Sequence, residues 1–220
     1  MKESITPETL AKQLRCPSGE YAKQIGENMF LSNSNMIFKA IDLMQVDTGL
    51  SSVLEIGVGN GKHLPYLFEK AQDLQYIGVD ISEEMVKEAI QNNINLVNKK
   101  IAEFIVVQPD EKLPFKRAYF DFCFTVNTIY FIENPIEYFH SVFEYLKPNG
   151  KLVIGFIAKE FGEKLDFTQE GFTFYSTETI MQWLSDIGFT AIEIFDFTED
   201  TTSKDGQKVN RPIYFVTAQK

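Results

Sequence analysis

Cysteine is nearly absent from this chain: Cys16 and Cys123 are the only two in 220 residues. They stand in unrelated contexts, one in a loop and one inside an expected strand, and read as reduced thiols of a cytoplasmic protein rather than a disulfide framework. Long apolar runs are missing as well. The longest, such as 152–158, are strand-sized, well short of the ~20 residues that cross a bilayer. The opening segment Met1-Lys2-Glu3-Ser4-Ile5-Thr6-Pro7 lacks the apolar core of a signal peptide, so no membrane partner is expected. Blocks of basic residues are missing too. Asp plus Glu outnumber Lys plus Arg by 31 to 21, a net charge of -10, which repels phosphate backbones and argues against a nucleic acid partner. No internal repeat is visible, and no metal ligands are assigned.

Composition and patterning describe one α/β unit. At 44% hydrophobic content, the chain can bury one sizeable core, so residues 1–220 are expected to form a single domain. Residues 1–47 read as a helical preface, with Thr6-Pro7 as cap and first turn, a break at Cys16-Pro17-Ser18-Gly19 and a restart near Ser32-Asn33-Ser34-Asn35. In 48–220, short β-branched and aromatic runs alternate with periodic helices, the pattern of a mainly parallel sheet covered on both faces. Strands are expected at 52–56, 75–79, 101–107, 120–126 and 151–158. The helix opening at Asn134-Pro135 should bury Ile136, Phe139, Phe143 and Leu146 before Lys147-Pro148-Asn149-Gly150 stops it. Two further runs, 191–197 and 212–217, have no helix between them and can pair antiparallel. The polar stretch joining them, 198–211, reads as a mobile hairpin loop.

One segment carries chemistry above the rest. The strand ending Val53-Leu54-Glu55-Ile56 runs into Gly57-Val58-Gly59-Asn60-Gly61. Glycines there let a ligand approach the main chain. A dinucleotide fingerprint wants its third glycine one residue later, where Lys62 stands. Glu55, two residues before the first glycine, suits a ligand with positive charge and amino donors, and S-adenosylmethionine meets those demands. The second expected strand ends in Asp80, placed to accept both ribose hydroxyls in the crevice where open α/β sheets bind ligands; a helix cap shared with Ser82 is the plainer role for it.

With these residues in view, the chain from about Ser51 onward resembles the class I S-adenosylmethionine-dependent methyltransferases, in particular their small-molecule (methyltransferase type 11-like) group. Four blocks carry the resemblance in order: the glycine motif; Tyr76-Ile77-Gly78-Val79-Asp80-Ile81-Ser82 with Met85; Leu113-Pro114-Phe115 through Phe120-Asp121-Phe122; and Leu146-Lys147-Pro148-Asn149-Gly150-Lys151-Leu152. The resemblance implies a Rossmann-like, doubly wound, mainly parallel seven-stranded sheet with an antiparallel last strand and an N-terminal helical lid. It implies further that Glu55 and the turn backbone at Gly57, Gly59, Asn60 and Gly61 hold the methionine moiety. Asp80 would bind the ribose, Ile81 and Met85 would pack on the adenine, and Val126-Asn127-Thr128, with Asn127 named as the contact, would supply backbone near the amino group and face the substrate. Proline occupies the family's usual acid position before Leu-Pro-Phe, and Asp110 is the nearest substitute.

The implied reaction is in-line methyl transfer to a small-molecule acceptor. An Asn-Pro-Pro-aromatic tetrapeptide is missing at Asn127-Thr128-Ile129-Tyr130, which disfavours nucleobase acceptors. Arg15 and Tyr21, around the break in the preface, and Tyr130 after the fourth strand are candidate acceptor contacts. The sulfonium is already an activated leaving group, so alignment supplies most of the rate, and no catalytic base is named; His63 reads as a capping or carboxylate-contacting residue and His140 as structural. Two rivals remain open: a non-catalytic cofactor-binding or regulatory protein, and an NAD-dependent oxidoreductase, disfavoured by the early third glycine and the antiparallel end of the sheet.

Overall fold

The computed structural model describes residues 5–46, 49–71, 73–109, 111–202 and 208–220. Two helices come first, α1 (Pro7–Arg15) and α2 (Ala22–Met44). Thr6 caps α1 by accepting a hydrogen bond from the Thr9 amide, with Pro7 in the first turn. After them strands and helices alternate: β1 (Ser51–Ile56), α3 (Leu64–Lys70), β2 (Leu74–Asp80), α4 (Glu83–Asn92), α5 (Ile94–Asn98), β3 (Ala102–Val106) and β4 (Phe120–Val126). Then follow α6 (Pro135–Tyr145), β5 (Leu146–Ile157), α7 (Lys159–Gly162), α8 (Thr177–Ile187), β6 (Thr190–Thr202) and β7 (Lys208–Gln219).

The strands form one seven-stranded sheet in the order β3-β2-β1-β4-β5-β7-β6. Pairs from β3 through β5 are parallel, and β7 lies antiparallel to both β5 and β6. The Rossmann-like, mainly parallel sheet with a reversed last strand is therefore the fold. Its central strands are apolar on both faces because helices cover both, so Val53, Leu54, Phe120, Phe124, Leu152 and Ile154 are all fully buried. Strand order reverses between β1 and β4, which opens a crevice at their carboxyl ends.

Four local expectations need correction. No helix restarts at Ser32-Asn33-Ser34-Asn35, because α2 runs through it unbroken. Ser32 donates its hydroxyl back to the Asn28 carbonyl at 2.6 Å, and burial of Met36, Ala40 and Ile41 against the sheet holds the following turns. On α6, Ile136 is 51% exposed. The buried row there is Phe139, Val142 and Tyr145, and Leu146 already pairs with Phe120, so the Lys147–Gly150 turn interrupts β5 instead of preceding it. The 198–211 stretch is largely strand rather than loop: the β6–β7 ladder continues from Thr198↔Pro212 to Thr202↔Lys208. Cross-strand pairing of Glu199 with Arg211 fixes that register, and 203–207 lie outside the described residues. Since β5 stops pairing at Ile157↔Ile213, this end of the hairpin overhangs the sheet.

Candidate active site

The β1–α3 turn sits at the crevice. Gly57, Gly59 and Gly61 all adopt left-handed φ, at 77°, 58° and 65°. The amides of Gly57 and Val58 both donate to the Val79 carbonyl, at 2.8 and 3.1 Å, which draws the turn against the end of β2. Gly57 is required twice over: a Cβ there would lie 2.1 Å from the Thr128 Cγ2, in a φ that L residues avoid. Gly57→Ala is therefore expected to displace the turn from Thr128 and lower affinity for S-adenosylhomocysteine by roughly tenfold, since left-handed strain alone costs about 1–2 kcal/mol; isothermal titration calorimetry measures it.

Asp80 ends β2 with 9% exposure. Its Oδ2 accepts from the Gly59 amide at 2.8 Å and its Oδ1 from the Ser82 amide at 2.9 Å, so one carboxylate links the glycine turn to the start of α4. The capping role and the place beside the turn coexist. Burial raises its carboxyl to about 6, against the opposing pull of those amides. Ser82 caps α4 by accepting from the Met85 amide at 3.2 Å. Met85 is buried, and α2 crosses it so closely that a Cβ on Gly26 would lie 2.7 Å from the Met85 Sδ.

Glu55 faces the interior beneath the turn. Its Oε2 accepts from the Tyr76 hydroxyl and lies 2.7 Å from the His63 Nε2, and the three side chains are 3%, 2% and 1% exposed respectively. This network joins β1, β2 and the entry to α3. Burial, with the Glu55 charge beside it, pushes the Tyr76 phenol far above its ordinary range. Asn60 turns the other way: its Nδ2 donates to the Gly26 carbonyl at 3.2 Å, and the neighbouring Lys62 reaches Glu27 at 2.5 Å, so the turn is also tied to α2.

A cavity of about 990 Å³ opens between the crevice and the N-terminal helices. Of the residues expected to meet the cofactor, Gly57, Asp80, Ile81, Met85 and Asn127 line it. Glu55, Gly59, Asn60 and Gly61 stand behind or beside it. Asp110 lies outside the described residues, although its neighbours Gln108 and Pro109 border the cavity. Asn127 follows β4 with φ 57°; its amide donates to the Gly155 carbonyl at 2.8 Å and its Oδ1 accepts from the Tyr130 hydroxyl at 2.9 Å. Tyr130 lines the cavity while its hydroxyl also accepts from the Ile157 amide at 2.5 Å. Both hydrogen-bonding roles of that oxygen are thus taken, and burial pushes the phenol well above its ordinary value.

Among the acceptor candidates on the preface, Arg15 lines the cavity, with Glu133 the nearest carboxylate at 3.9 Å. Tyr21, in a 3-10 turn at Gly19–Tyr21, is 50% exposed and does not line it. His140 lies exposed on α6. Thr128, expected at the end of the fourth strand, lines the cavity beside Gly57, whereas Arg211, which lines it from the overhanging hairpin, was not foreseen from the sequence. Also unforeseen was the α2 row Asn28, Ser32 and Asn35 on the cavity wall, whose i, i+4, i+7 spacing was the available signal.

Residues 54–154 match the family model of the Methyltransferase domain. An uncharacterized protein of Methanocaldococcus jannaschii is 32% identical over 183 residues, 79% of each chain. This chain belongs to the class I S-adenosylmethionine-dependent methyltransferases. As a class I methyltransferase it uses S-adenosylmethionine as cofactor. A phosphoethanolamine N-methyltransferase of Triticum aestivum is 29% identical over 72% of this chain, and the match spans 32% of that relative's length. A tRNA U34 carboxymethyltransferase of Idiomarina loihiensis is 28% identical over 71% of this chain and 50% of its own. The chain thus spans about a third of the first of these two curated relatives and half of the second. In structure, Haemonchus contortus phosphoethanolamine N-methyltransferase 2, solved with phosphomonomethylethanolamine and S-adenosylhomocysteine, superposes with a TM-score of 0.72 at 18% identity, over 100% of this chain and 61% of that one.

The residues present fit such a cofactor in this methyltransferase. A buried carboxylate at Asp80 offers oxygens to paired hydroxyls, Ile81 and Met85 offer apolar surface, and open space lies beside Gly59, where an added Cβ would meet nothing within 4 Å. Among the described residues no helix is long and apolar enough to cross a membrane, and no group of three or more His, Cys, Asp or Glu could hold a metal ion.

Proposed function

We propose that the chain moves the methyl group of S-adenosylmethionine to a small-molecule acceptor held in the 990 Å³ cavity. What carries this reading is the division of that one cavity. Asp80, Ile81 and Met85 lie at its β2 end. At the β4–β5 end Phe131, Phe161 and Phe172 form an aromatic wall, and α1 and α2 close the side between. The volume is at the upper end of the ~300–1,000 Å³ usual for ligand pockets, room for a cofactor and a small second molecule side by side.

The sulfonium supplies an activated methyl group that an acceptor lone pair takes by in-line displacement, the sulfur leaving with the bonding electrons. This chain's own residues orient and exclude water. Asp80 would accept hydrogen bonds from the ribose hydroxyls, Ile81 and Met85 would pack on the adenine, and the backbone of Gly57 and Asn127 would hold the methionine portion. Glu55 serves the same end from behind, by fixing His63 and Tyr76 and through them the turn. Leu10, Leu14 and Arg15 of α1 cover the cavity and keep water from the reacting groups. Net charge and a recessed cavity bordered by α1 and α2 support a small acceptor over a nucleic acid. Incubation with methyl-labelled S-adenosylmethionine and a library of low-mass amines, thiols, acids and phenols is expected to label one class. Label found only in RNA or protein would overturn the reading, and no label anywhere would favour a cofactor-binding protein without turnover.

The lid is tested by truncation after Ser18, because α2 is buried from Ala22 and Ile25, near Asn60 and Met85, to Met44 in the sheet core and must stay whole. Loss of residues 1–18 is expected to lower acceptor turnover at least tenfold through lost positioning and water exclusion, of order 1.4 kcal/mol or more. Unchanged turnover in that truncated protein would remove α1 from the mechanism.

A further inference from the structure

We propose that the acceptor carries an oxyanion, a carboxylate or a phosphate, and that Arg211 is the residue that binds it; this rests on the small-molecule reading above. The chain contains three arginines, Arg15, Arg117 and Arg211. Two of them line the cavity, and among the described residues no lysine does. In a chain whose acidic residues exceed its basic ones, two of three guanidiniums at one cavity, Arg15 from α1 and Arg211 from the hairpin, call for a ligand.

Arg211 is held as a binding group would be. Its side chain is 13% exposed and that of its partner Glu199 10%. Nε donates to the Glu199 Oε1 at 2.7 Å, Nη2 lies 2.5 Å from the same oxygen and donates to the Ser32 carbonyl at 2.6 Å, and Nη1 donates to the Asn33 Oδ1 at 3.2 Å. A guanidinium has five N–H groups in a rigid fork, so these contacts fix its plane and leave one N–H of Nη1 without a partner among the described residues. An orienting carboxylate and a donor left over among the described residues, on a side chain that lines the cavity, make a preorganised, largely desolvated cation, the setting in which a charge-assisted hydrogen bond is strongest.

Its place in the sheet puts Arg211 on the acceptor side. Arg211 stands just past the last β5–β7 pair, Ile157↔Ile213, and the Ile157 amide binds the Tyr130 hydroxyl that in turn binds Asn127. The Arg211 charge is felt at that hydroxyl. Asp80 lies at the end of β2, four strand positions away through β1, β4 and β5, or about 19 Å at ~4.8 Å per strand. That span leaves Arg211 beyond the cofactor's ribose end. Between them stand Phe131 and Phe172, whose rings pack at 4.6 Å, so the fitting acceptor has an apolar body and an anionic head.

The test uses the whole chain saturated with S-adenosylhomocysteine and titrated calorimetrically with benzoate, phenyl phosphate and benzamide. At least one of the two anions is expected to bind about tenfold or more tighter than benzamide; which of them leads distinguishes a carboxylate from a phosphate acceptor. Arg211→Met alone strands Glu199 and can unfold the hairpin, so the decisive variant combines Glu199→Gln with Arg211→Met, with Arg211→Lys as a charge-preserving control. The double variant should bind S-adenosylhomocysteine normally and lose the anion preference, and the lysine variant should keep part of it. Equal binding of all three probes, no binding by any, or a preference that survives in the double variant would overturn the proposal. Failure of the methyltransferase site itself would show separately, as absent S-adenosylhomocysteine binding.

Discussion

Asp80→Ala is expected to weaken S-adenosylhomocysteine binding by about 1.5–3 kcal/mol, roughly 10- to 150-fold, because the hydrogen bonds lost are to an ionised acceptor in a buried site. The variant also frees the amides of Gly59 and Ser82, so its fold should be checked by circular dichroism before calorimetry is read. Wild-type affinity in a folded Asp80→Ala protein would refute the assignment. The pH dependence gives a second readout. Burial holds the Asp80 carboxyl at about 6, above its ordinary 3.8. Because the folded value is the higher one, this group's contribution to stability is full below about pH 3.8 and is lost as pH rises through about 6. Hydroxyl donors from a ribose favour the ionised form, so affinity should climb about tenfold from pH 5 to pH 7 and then level off. Asp80→Ala should flatten that profile.

Glu55→Ala should act mainly on the fold. It leaves the Tyr76 hydroxyl and the His63 Nε2 facing a void with no acceptor, and buried donors stripped of their partner cost about 1–3 kcal/mol each. A total of about 2–6 kcal/mol corresponds to a fall in Tm of roughly 4–24 °C in a protein of this size, measurable by calorimetric scanning. Glu55→Gln separates this role from direct cofactor contact. The amide oxygen still accepts from both donors, so this variant should keep cofactor affinity within about threefold. A loss as large as that of Asp80→Ala would mean that the Glu55 charge acts on the cofactor itself.

The two ends of the site were unequally legible in the sequence. The glycine turn and Asp80 could be read because their constraints are local: a left-handed turn needs glycine at fixed offsets, and a strand-end carboxylate follows its own apolar run. His63 was legible as a carboxylate-contacting residue, but that the carboxylate is Glu55, shared with Tyr76, was hidden because His63 and Tyr76 stand 8 and 21 residues away and meet it only once β1, β2 and the entry to α3 come together. Arg211 was hidden for a different reason. Glu199, Asp200 and Arg211 sit in a polar stretch that composition assigns to a loop, whereas the pairing that makes it strand comes from the partner strand and from α2. The Ser32–Asn35 stretch misled in the same way, since caps and helix interiors use the same residues and only burial on either side tells them apart.

The overhanging hairpin has a consequence for how its wall can change. Glu199, Thr201, Val209 and Arg211 occupy two directly opposed pairs, Glu199↔Arg211 and Thr201↔Val209, and so share one face of a ribbon that pairs with no third strand. Side chains alternate faces with a period of two. Adding two residues to each arm would therefore move the ribbon's tip and leave the guanidinium aimed inward, while a single residue inserted between Arg211 and Ile213, where β7 joins β5, would turn it out to solvent. Insertions at this end of the molecule should be tolerated by parity, even lengths preserving the wall and odd lengths inverting it.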